Sequence, residues 1–421
     1  MEWLFRRLTL SLTAAAELSR EEWLGFLLDR EVTTRFTDNA RKTDTNETTD
    51  WETRGYLNAS FLSDPGRCTS AFDGTLVYTW WPESTFDDEA FGEMDFNGAC
   101  ELAQGLYWDA SNSLRAVTRN SRASSTQDNR TRKNVFGTGP RYTWRMTNTD
   151  WLTLRALYEN TEFEESQEPD TERYSGTIAW NHLFSPTFNG GLSTSYNQTE
   201  YDNGAEVDVT SVQVTFDNRW AATRLSGAVG VSEIESTSAG SSLTSDGFVG
   251  ELDLQRDITQ SSSVYLRGAR ELTDRTSTFD IRFGEFVFNL QETISVETTT
   301  LSTGYNQRFS AGDTVNAEVY ANRADYLESD EREDRTGISL RYNRPVAELT
   351  TAFAEVGYER LAFESDDQTD NLARLTLGVE HSVTRDLNLI ARFGREQKNS
   401  DDAAREYTEH FVLVGAEYRL Y

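Results

Sequence analysis

The sequence predicts an all-β fold, a transmembrane antiparallel up-and-down β-barrel of about 20 strands, within roughly 16 to 22. Three observations predict it. From Trp23 onward, segments of about ten to sixteen residues alternate apolar and polar side chains, the period of a strand with unlike faces. The separators between those segments alternate between short and long. The chain has no uninterrupted apolar run of about eighteen residues, which excludes a helical span. A mean hydropathy of −0.63 and a net charge of −30 fit a barrel, because a closed barrel needs apolar side chains on one face only. Ten Trp, 17 Tyr and 23 Phe argue against disorder, the other reading of an acidic chain. With that negative charge no nucleic-acid partner is expected.

Residues 1–21 read as a leader. Met1 to Arg7 ends in a basic pair, Leu8 to Thr13 is a short apolar run, and Ala14, Ala15 and Ala16 offer small residues for cleavage. The other reading is an amphipathic helix retained at the barrel entrance. Residues 22–421 then form a single barrel domain. No stretch of a hundred or more residues precedes the first strand, which disfavours a receptor with a folded plug domain.

Short separators fall at 63–66, 104–105, 148–149, 185–186, 217–219, 257–259, 310–312, 344–345 and 384–386. Between them lie longer, more charged ones at 38–50, 82–90, 121–134, 164–170, 236–245, 275–292, 328–333, 365–370 and 399–404. Short turns on one side and polar loops on the other are the pattern of an outer-membrane barrel, turns in the periplasm and loops outside. Pro65, Pro82, Pro169, Pro186 and Pro345 fall between expected strands, where a missing N–H is harmless; Pro140 falls inside one and weakens it. The aromatic segment from Phe279 to Leu290, in the longest separator, folds inward as a constriction or lid, or else forms an extra hairpin. Cys68 and Cys100 flank one hairpin at the periplasmic ends of its strands. They pair in an oxidising compartment or stay two buried thiols.

The clearest strands resolve into faces. Ile338, Leu340 and Tyr342 oppose Ser339 and Arg341; Leu375, Leu377 and Val379 oppose Arg374 and Glu380; Leu389, Ala391 and Phe393 oppose Arg392. Val315, Ala317 and Val319 oppose Glu318 and Tyr320, and Ala354, Val356 and Tyr358 oppose Glu355 and Glu359. In the last strand Val412, Val414, Ala416 and Tyr418 oppose Glu417 and Arg419, while Tyr421 falls one place off register: either the final pair bulges, the favoured reading, or the lipid face is the Tyr421 set, which would put Arg419 and Glu417 in lipid. The polar faces carry both signs of charge at similar depth, as a water-filled lumen does. The expected pore lining is therefore Arg341, Arg374, Arg392, Arg419, Glu318, Glu355, Glu359 and Glu380, with Tyr320 placed to stack on sugar rings. The alternative is a salt-bridge network that fills a closed barrel. Trp80, Trp81, Tyr107, Trp108, Trp144, Trp151, Trp180 and Trp220 are expected in interfacial girdles.

Two stretches carry a family resemblance. Phe36-Thr-Asp-Asn39, together with Val383 to Glu396, Glu406-Tyr-Thr-Glu-His410 and the final strand, resembles the porin-like outer-membrane barrels found with PEP-CTERM/exosortase and exopolysaccharide systems. The likeness is clearest near the first strand and over the last eighty or so residues. It implies an integral protein of the bacterial outer membrane linked with polysaccharide secretion, with exopolysaccharide and its export machinery as partners, and it supplies no catalytic residues.

Enzyme chemistry finds little footing. His182, His381 and His410 are far apart in sequence, and no Gly-x-Ser-x-Gly elbow occurs. No cofactor is expected. Acidic loop clusters, including Asp87, Asp88, Asp366 and Asp367, read first as solvated surface and second as Ca²⁺ sites that knit the loops to lipopolysaccharide. The functional expectation is a hydrophilic channel for polysaccharide or other polar solutes; the alternative is a closed structural or adhesive barrel acting through cation-binding loops.

Overall fold

The computed structural model describes residues 26–165, 168–238, 240–284, 286–290, 294–329 and 331–420. The expected leader, the strand start at Trp23 and the off-register Tyr421 lie outside the described residues. The chain is built of twenty antiparallel strands. The first ten are β1 (Phe26–Thr37), β2 (Asp50–Leu62), β3 (Cys68–Trp80), β4 (Glu89–Ala103), β5 (Leu106–Thr118), β6 (Arg130–Arg145), β7 (Asp150–Phe163), β8 (Thr171–Ser185), β9 (Phe188–Tyr201) and β10 (Glu206–Arg219). They are followed by β11 (Thr223–Ser238), β12 (Ser241–Thr259), β13 (Ser262–Asp274), β14 (Ser295–Arg308), β15 (Thr314–Tyr326), β16 (Glu331–Ala347), β17 (Thr350–Phe363), β18 (Gln368–Ser382), β19 (Leu387–Ser400) and β20 (Tyr407–Arg419). Each strand pairs with its neighbours in sequence, and β1 pairs with β20, so the sheet closes on itself. Twenty strands spaced about 4.8 Å and tilted by about 40° give a circumference near 125 Å and a backbone diameter of about 40 Å.

One end of the barrel carries tight turns of two to five residues, at 63–67, 104–105, 146–149, 186–187, 220–222, 260–261, 309–313, 348–349 and 383–386. The other end carries ten connections: L1 (38–49), L2 (81–88), L3 (119–129), L4 (164–170), L5 (202–205), L6 (239–240), L7 (275–294), L8 (327–330), L9 (364–367) and L10 (401–406). L5 is not anticipated by the sequence reading, because it is compressed into a turn around Gly204, whose φ of 83° an L side chain rarely adopts. The stretch 236–245 is strand rather than loop apart from L6. The expected turns at 217–219, 257–259 and 344–345 are also strand, and Pro345 sits in β16 beside a register shift to Ala347. Pro140 lies inside β6, paired with Trp108 of β5, at the place where Gly139 and Pro140 drop out of register with β7. A residue without an N–H is tolerated at such a gap.

The outer face holds the apolar sets read from alternation. Ile338, Leu340, Val356, Leu375, Leu377, Val379, Leu389, Phe393, Val412, Val414 and Tyr418 are all exposed on it. Trp108, Trp144, Trp180 and Trp220 are exposed toward the turn end, and Trp51, Trp80, Tyr78, Tyr174, Tyr196 and Tyr358 toward the loop end. Three of the expected girdle residues are elsewhere. Trp81 is buried with Ala40 and Phe86 under L1 and L2, Tyr107 lies on the inner face beneath the Arg141 guanidinium, and Trp151 shares the inner parity of β7.

The inner face has its own packing rule. Tyr265, Tyr320, Phe353 and Phe411 each stand directly across from a glycine of the next strand, Gly304, Gly337, Gly378 and Gly394. Each ring lies over its glycine so closely that a Cβ there would fall 2.1 to 2.3 Å from the ring. The pairing lets a large ring lie flat against the wall.

The two stretches that carry the family resemblance meet at the seam between β1 and β20. The Arg35 guanidinium and the Thr37 hydroxyl both donate to Glu409, at 2.5 and 2.6 Å. His410 is hydrogen-bonded to Asp38 at 2.8 Å, and Asn39 donates to the Thr408 carbonyl at 3.0 Å. Glu409 is 1% exposed, so its charge is matched inside the fold. Glu409→Ala leaves Arg35 without this partner and is expected to cost about 3–5 kcal/mol. The check is the heating midpoint at which the folded band on a semi-native gel converts to the unfolded one; an unchanged midpoint would show that the seam is held by backbone pairing alone.

Candidate functional site

The interior at the loop end is crossed by two loops. L7 begins with a four-residue helix, α1 (Phe279–Arg282), and turns into the lumen. Its aromatic run explains the direction: Phe279, Phe286, Phe288 and Leu290 are fully buried against Phe163, Ala269, Val296, Ala324 and Tyr326 of the wall. Burying four such side chains stabilises the inward position by about 6–12 kcal/mol as an upper bound. The sequence left a lid and an extra hairpin open for this segment; the lid geometry is the one adopted.

Buried polar groups fix the loop in place. Lys133 on β6 is fully buried; its Nζ donates to the Ser277 carbonyl and lies 3.0 Å from Asp280. Asp274, at the root of L7, receives Arg173 of β8 at 2.5 Å and Tyr201 of β9 at 3.3 Å. At the far end Asn289 N donates to the Tyr326 hydroxyl at 2.7 Å, and Leu290 N donates to the Arg119 carbonyl of L3 at 3.1 Å. L7 therefore spans from β13 and β14 to β6, across the bore.

L3 crosses the other way. Arg122 reaches Asp366 of L9 at 2.8 Å and Glu331 of β16 at 3.0 Å, and lies over the Phe363 ring. Ser121 donates to Glu333 of β16 at 2.8 Å, and Lys398 of β19 donates to the Arg122 carbonyl at 3.1 Å. Ser124 and Ser125 meet Lys42 of L1, whose Nζ is 2.7 Å from Glu396. Beside L3, burial pushes the Glu168 carboxyl of L4 above the usual carboxylate range, against the pull of Arg275 and Arg119. Burial outweighs the attraction of the two arginines, which is the desolvation case of a shifted acid.

The chain has only three lysines, each in a largely buried ion pair at this end: Lys133 ties L7 to β6, Lys42 ties L1 to β19 and touches Ser125 of L3, and Lys398 pairs with Asp370 of β18 while donating to the Arg122 carbonyl of L3. Sequence reasoning missed Lys133 because 121–134 was read as loop; β6 in fact starts at Arg130 and puts Lys133 on the inner face. The signal was present in the rarity of lysine against arginine.

A polar cavity of about 570 Å³ lies on one side of the crossing loops, bounded by L3 residues 121–125, by Gly284 and Val287 of L7, and by the inner faces of β15 to β20. Four of the expected lining residues meet there: Glu318, Tyr320, Glu359 and Arg374. Tyr320 donates to Glu359 at 2.5 Å, Tyr265 donates to Glu318, and Arg374 lies 3.0 Å from Glu396. Arg341, Glu355 and Glu380 form a separate group nearer the turn end, with Arg341 at 3.5 and 3.9 Å from the two carboxylates. Arg341 and Arg392 share the Phe353 ring at 4.7 and 5.7 Å. Arg419 stands apart, opposite Asp29 at the turn-end mouth. A second polar cavity of about 550 Å³ lies on the other side of L7, among β7 to β13. Both volumes fall in the range of about 300–1,000 Å³ that holds small ligands.

The remaining candidates are accounted for individually. Cys68 and Cys100 face each other across β3 and β4 and are disulfide-bonded. Asp87 and Asp88 lie in L2, where Asp88 accepts from Tyr78 and from Trp81 N; Asp366 and Asp367 lie in L9, where Asp366 pairs with Arg122. Among the described residues no group of three or more His, Cys, Asp or Glu is arranged to hold a metal. His182 pairs with Asp150, His381 with Thr350, and His410 with Asp38, each in a different part of the barrel.

This is the class of large β-barrels like those of outer-membrane proteins, and no helix among the described residues is long and apolar enough to cross a membrane. Among solved structures the fold is similar to the FrpB iron transporter from Neisseria meningitidis (F5-1 variant), with a TM-score of 0.46 and 8% identity over 94% of this chain and 82% of that one. It is similar to OccK11 (OpdR) of Pseudomonas aeruginosa, with a TM-score of 0.40 and 12% identity over 94% and 96% of the two chains. It is also similar to OmpT, an outer membrane protein of Vibrio cholerae, in a form lacking that protein's own loop L8, with a TM-score of 0.38 and 10% identity over 94% and 99%. No protein-family model matches the sequence, and no curated protein matches it. At these identities the likenesses concern architecture, and nothing about cargo follows from them.

Lys133→Ala leaves Asp280 and the Ser277 carbonyl without their cation and is expected to weaken L7 docking by about 3–5 kcal/mol. Limited trypsin digestion checks this: the variant is cut at Arg282 while the barrel stays intact, and the unmutated protein resists. Equal resistance would mean that the aromatic cluster alone holds the loop.

Proposed function

We propose that this chain is a porin-like channel of the bacterial outer membrane that passes extended polar solutes, with secreted polysaccharide or its oligosaccharide fragments as the cargo class. The observation that carries the reading is the pair of polar cavities left on either side of L7, lined by ion pairs of both signs and by rings lying flat on glycine. A bore about 40 Å across at the backbone is too wide for one twenty-residue loop to fill, so L7 and L3 narrow it. Mixed charge sets a transverse field that favours hydrated, polar solutes over ions of one sign. The family resemblance supports glycan cargo and an export machinery as partner. In this reading turns lie in the periplasm, loops face outward, the Trp and Tyr girdles sit at the lipid boundaries, and the disulfide belongs to an oxidising compartment. Acidic loops then meet lipopolysaccharide, with Ca²⁺ between the two as the supporting cation.

The loop anchoring favours one alternative, a barrel whose lumen stays shut and whose role is structural. Planar-bilayer conductance separates the two. The refolded protein is expected to give stable steps that acidic polysaccharide blocks from one side. Replacing residues 276–291 by a short Gly-Ser linker is expected to raise the step roughly threefold or more. Arg374→Gln is expected to weaken the polysaccharide block roughly tenfold. No current from the intact chain, with large steps from the loop deletion, would establish the shut barrel instead.

A further inference from the structure

The barrel wall is split at one place. β12 and β13 pair only from Gly250 opposite Arg270 down to Thr259 opposite Ser262. Above that point residues 241–249 of β12 stay paired with β11, and residues 271–274 of β13 stay paired with β14, but the two strands do not pair with each other. The split is closed by side chains. Val249, Ile234 and Val207, from the inner faces of β12, β11 and β10, pack on Leu272 of β13, which is 2% exposed. Leu272 has the parity of the outer set Val264, Leu266 and Gly268, so the tops of β10 to β12 overlap the outside of β13. Gly247 confirms the overlap: a Cβ there would lie 3.7 Å from Glu297 and 3.9 Å from the Leu272 side chain. The 550 Å³ cavity beside L7 reaches this seam from within, being lined by both faces of β13 from Ala269 to Asp274.

The depth of the split is informative. On the outer face Leu252 and Leu254 of β12, and Val264 and Leu266 of β13, lie below it, and Arg270 is the first charged residue met on the way up. The opening therefore begins at the loop-side edge of the apolar band. Backbone groups left unpaired within hydrocarbon would be heavily penalised, whereas at the headgroup level water satisfies them. Beside the foot of the split the outer surface is still apolar, with Phe248 and Val231 more than 60% exposed. Behind it the cavity is polar, with Arg155, Glu159, Arg173 and Asn197.

We propose that this seam is a lateral portal through which an amphiphile, with a hydroxyl-rich polar head in the L7 cavity and an acyl chain in the bilayer, passes between lumen and membrane. Closure by packing rather than by a hydrogen-bond ladder makes such an opening reversible. Displacing Leu272 from Val249 and Ile234, with release of Asp274 from Arg173 and Tyr201, parts the overlap without unzipping a strand pair. The proposal rests on the chain being a membrane-embedded conduit, but it does not require that the axial bore conduct.

The test uses the full chain in phosphatidylethanolamine–phosphatidylglycerol vesicles containing a lysoglycolipid with one photoreactive group on its head sugar, which reports on the cavity, and another on its acyl chain, which reports on the outer band. Labelling of Thr278 and Glu271, inside the cavity, is read by peptide mass spectrometry against labelling of Leu266 and Phe393 on the outer band. Gly247→Cys with Leu272→Cys tethers the overlap. Lumen labelling is expected to fall roughly tenfold on oxidation and return on reduction, with band labelling unchanged. The unmutated protein with and without reductant controls for the native disulfide. Leu272→Ala, which loosens the overlap without new thiols, is expected to raise lumen labelling severalfold. Label confined to the outer band in the unmutated protein, or lumen labelling indifferent to both the tether and Leu272→Ala, overturns the portal. Bilayer current measured on the same preparations reports separately on the channel reading.

Discussion

Everything in this molecule depends on the closure of one sheet. A strand edge facing lipid has no water to satisfy its N–H and C=O groups, so twenty strands are viable in a bilayer only if the first pairs with the last. Here β1 and β20 pair from Asp29 opposite Arg419 up to Thr37 opposite Phe411, and side chains continue the junction from the top of the ladder, where Arg35 and Thr37 bond Glu409, to the Asp38–His410 pair above it. That gives the resembling motifs at the two chain ends a physical reason. They are far apart in sequence and are in contact only because the barrel closes.

Closure also creates the interior problem that L3 and L7 answer. A wide ring of strands has no self-filling core, and the inner wall must stay wet, so rigidity has to come from elements that cross the bore. An apolar run such as Phe279 to Leu290 would be poorly accommodated at a solvated rim, and it finds its partners at the tops of β7, β13, β14 and β15. The ends of the same loop are polar and are held by Lys133, Arg173 and Tyr326. Apolar burial supplies the attraction and the buried ion pairs set the position, since a buried charge is tolerable only where its partner sits. The lysines serve this well because an ammonium can meet both a carbonyl and a carboxylate, as Lys133 does with Ser277 and Asp280.

Alternation made the fold legible. A one-residue slip would exchange the faces of a strand, and the sets read for β15 to β20 all hold their sides, with Arg341, Arg374 and Arg392 inward and Ile338, Leu375 and Phe393 outward. Turn positions were less legible wherever polar residues continue a strand. Asp217, Asp257 and Pro345 read as punctuation, yet they remain in the ladder because strands near the turn end leave the apolar band and no longer need dry side chains. The cavity residues were legible as lining but not as a group. Depth along the bore depends on stagger between strands, which a single strand's pattern does not contain, so Arg341 and Arg374 looked equivalent although they belong to different clusters.

The same stagger explains why a strongly acidic chain has an interior of mixed charge. Arg341 lies between Glu355 and Glu380, Arg374 against Glu396, and Lys398 and Arg405 against Asp370, so cation and anion neutralise each other locally along the wall. A carboxylate lining of one sign would repel an anionic glycan and attract counterions that the glycan must displace. A wall of short, paired dipoles does neither strongly; it offers donors and acceptors at every step, and the rings resting on Gly304, Gly337, Gly378 and Gly394 keep it smooth. Such a lining exchanges hydrogen bonds with a hydrated polar solute at little net cost, a property that suits the proposed passage role better than a site of tight binding.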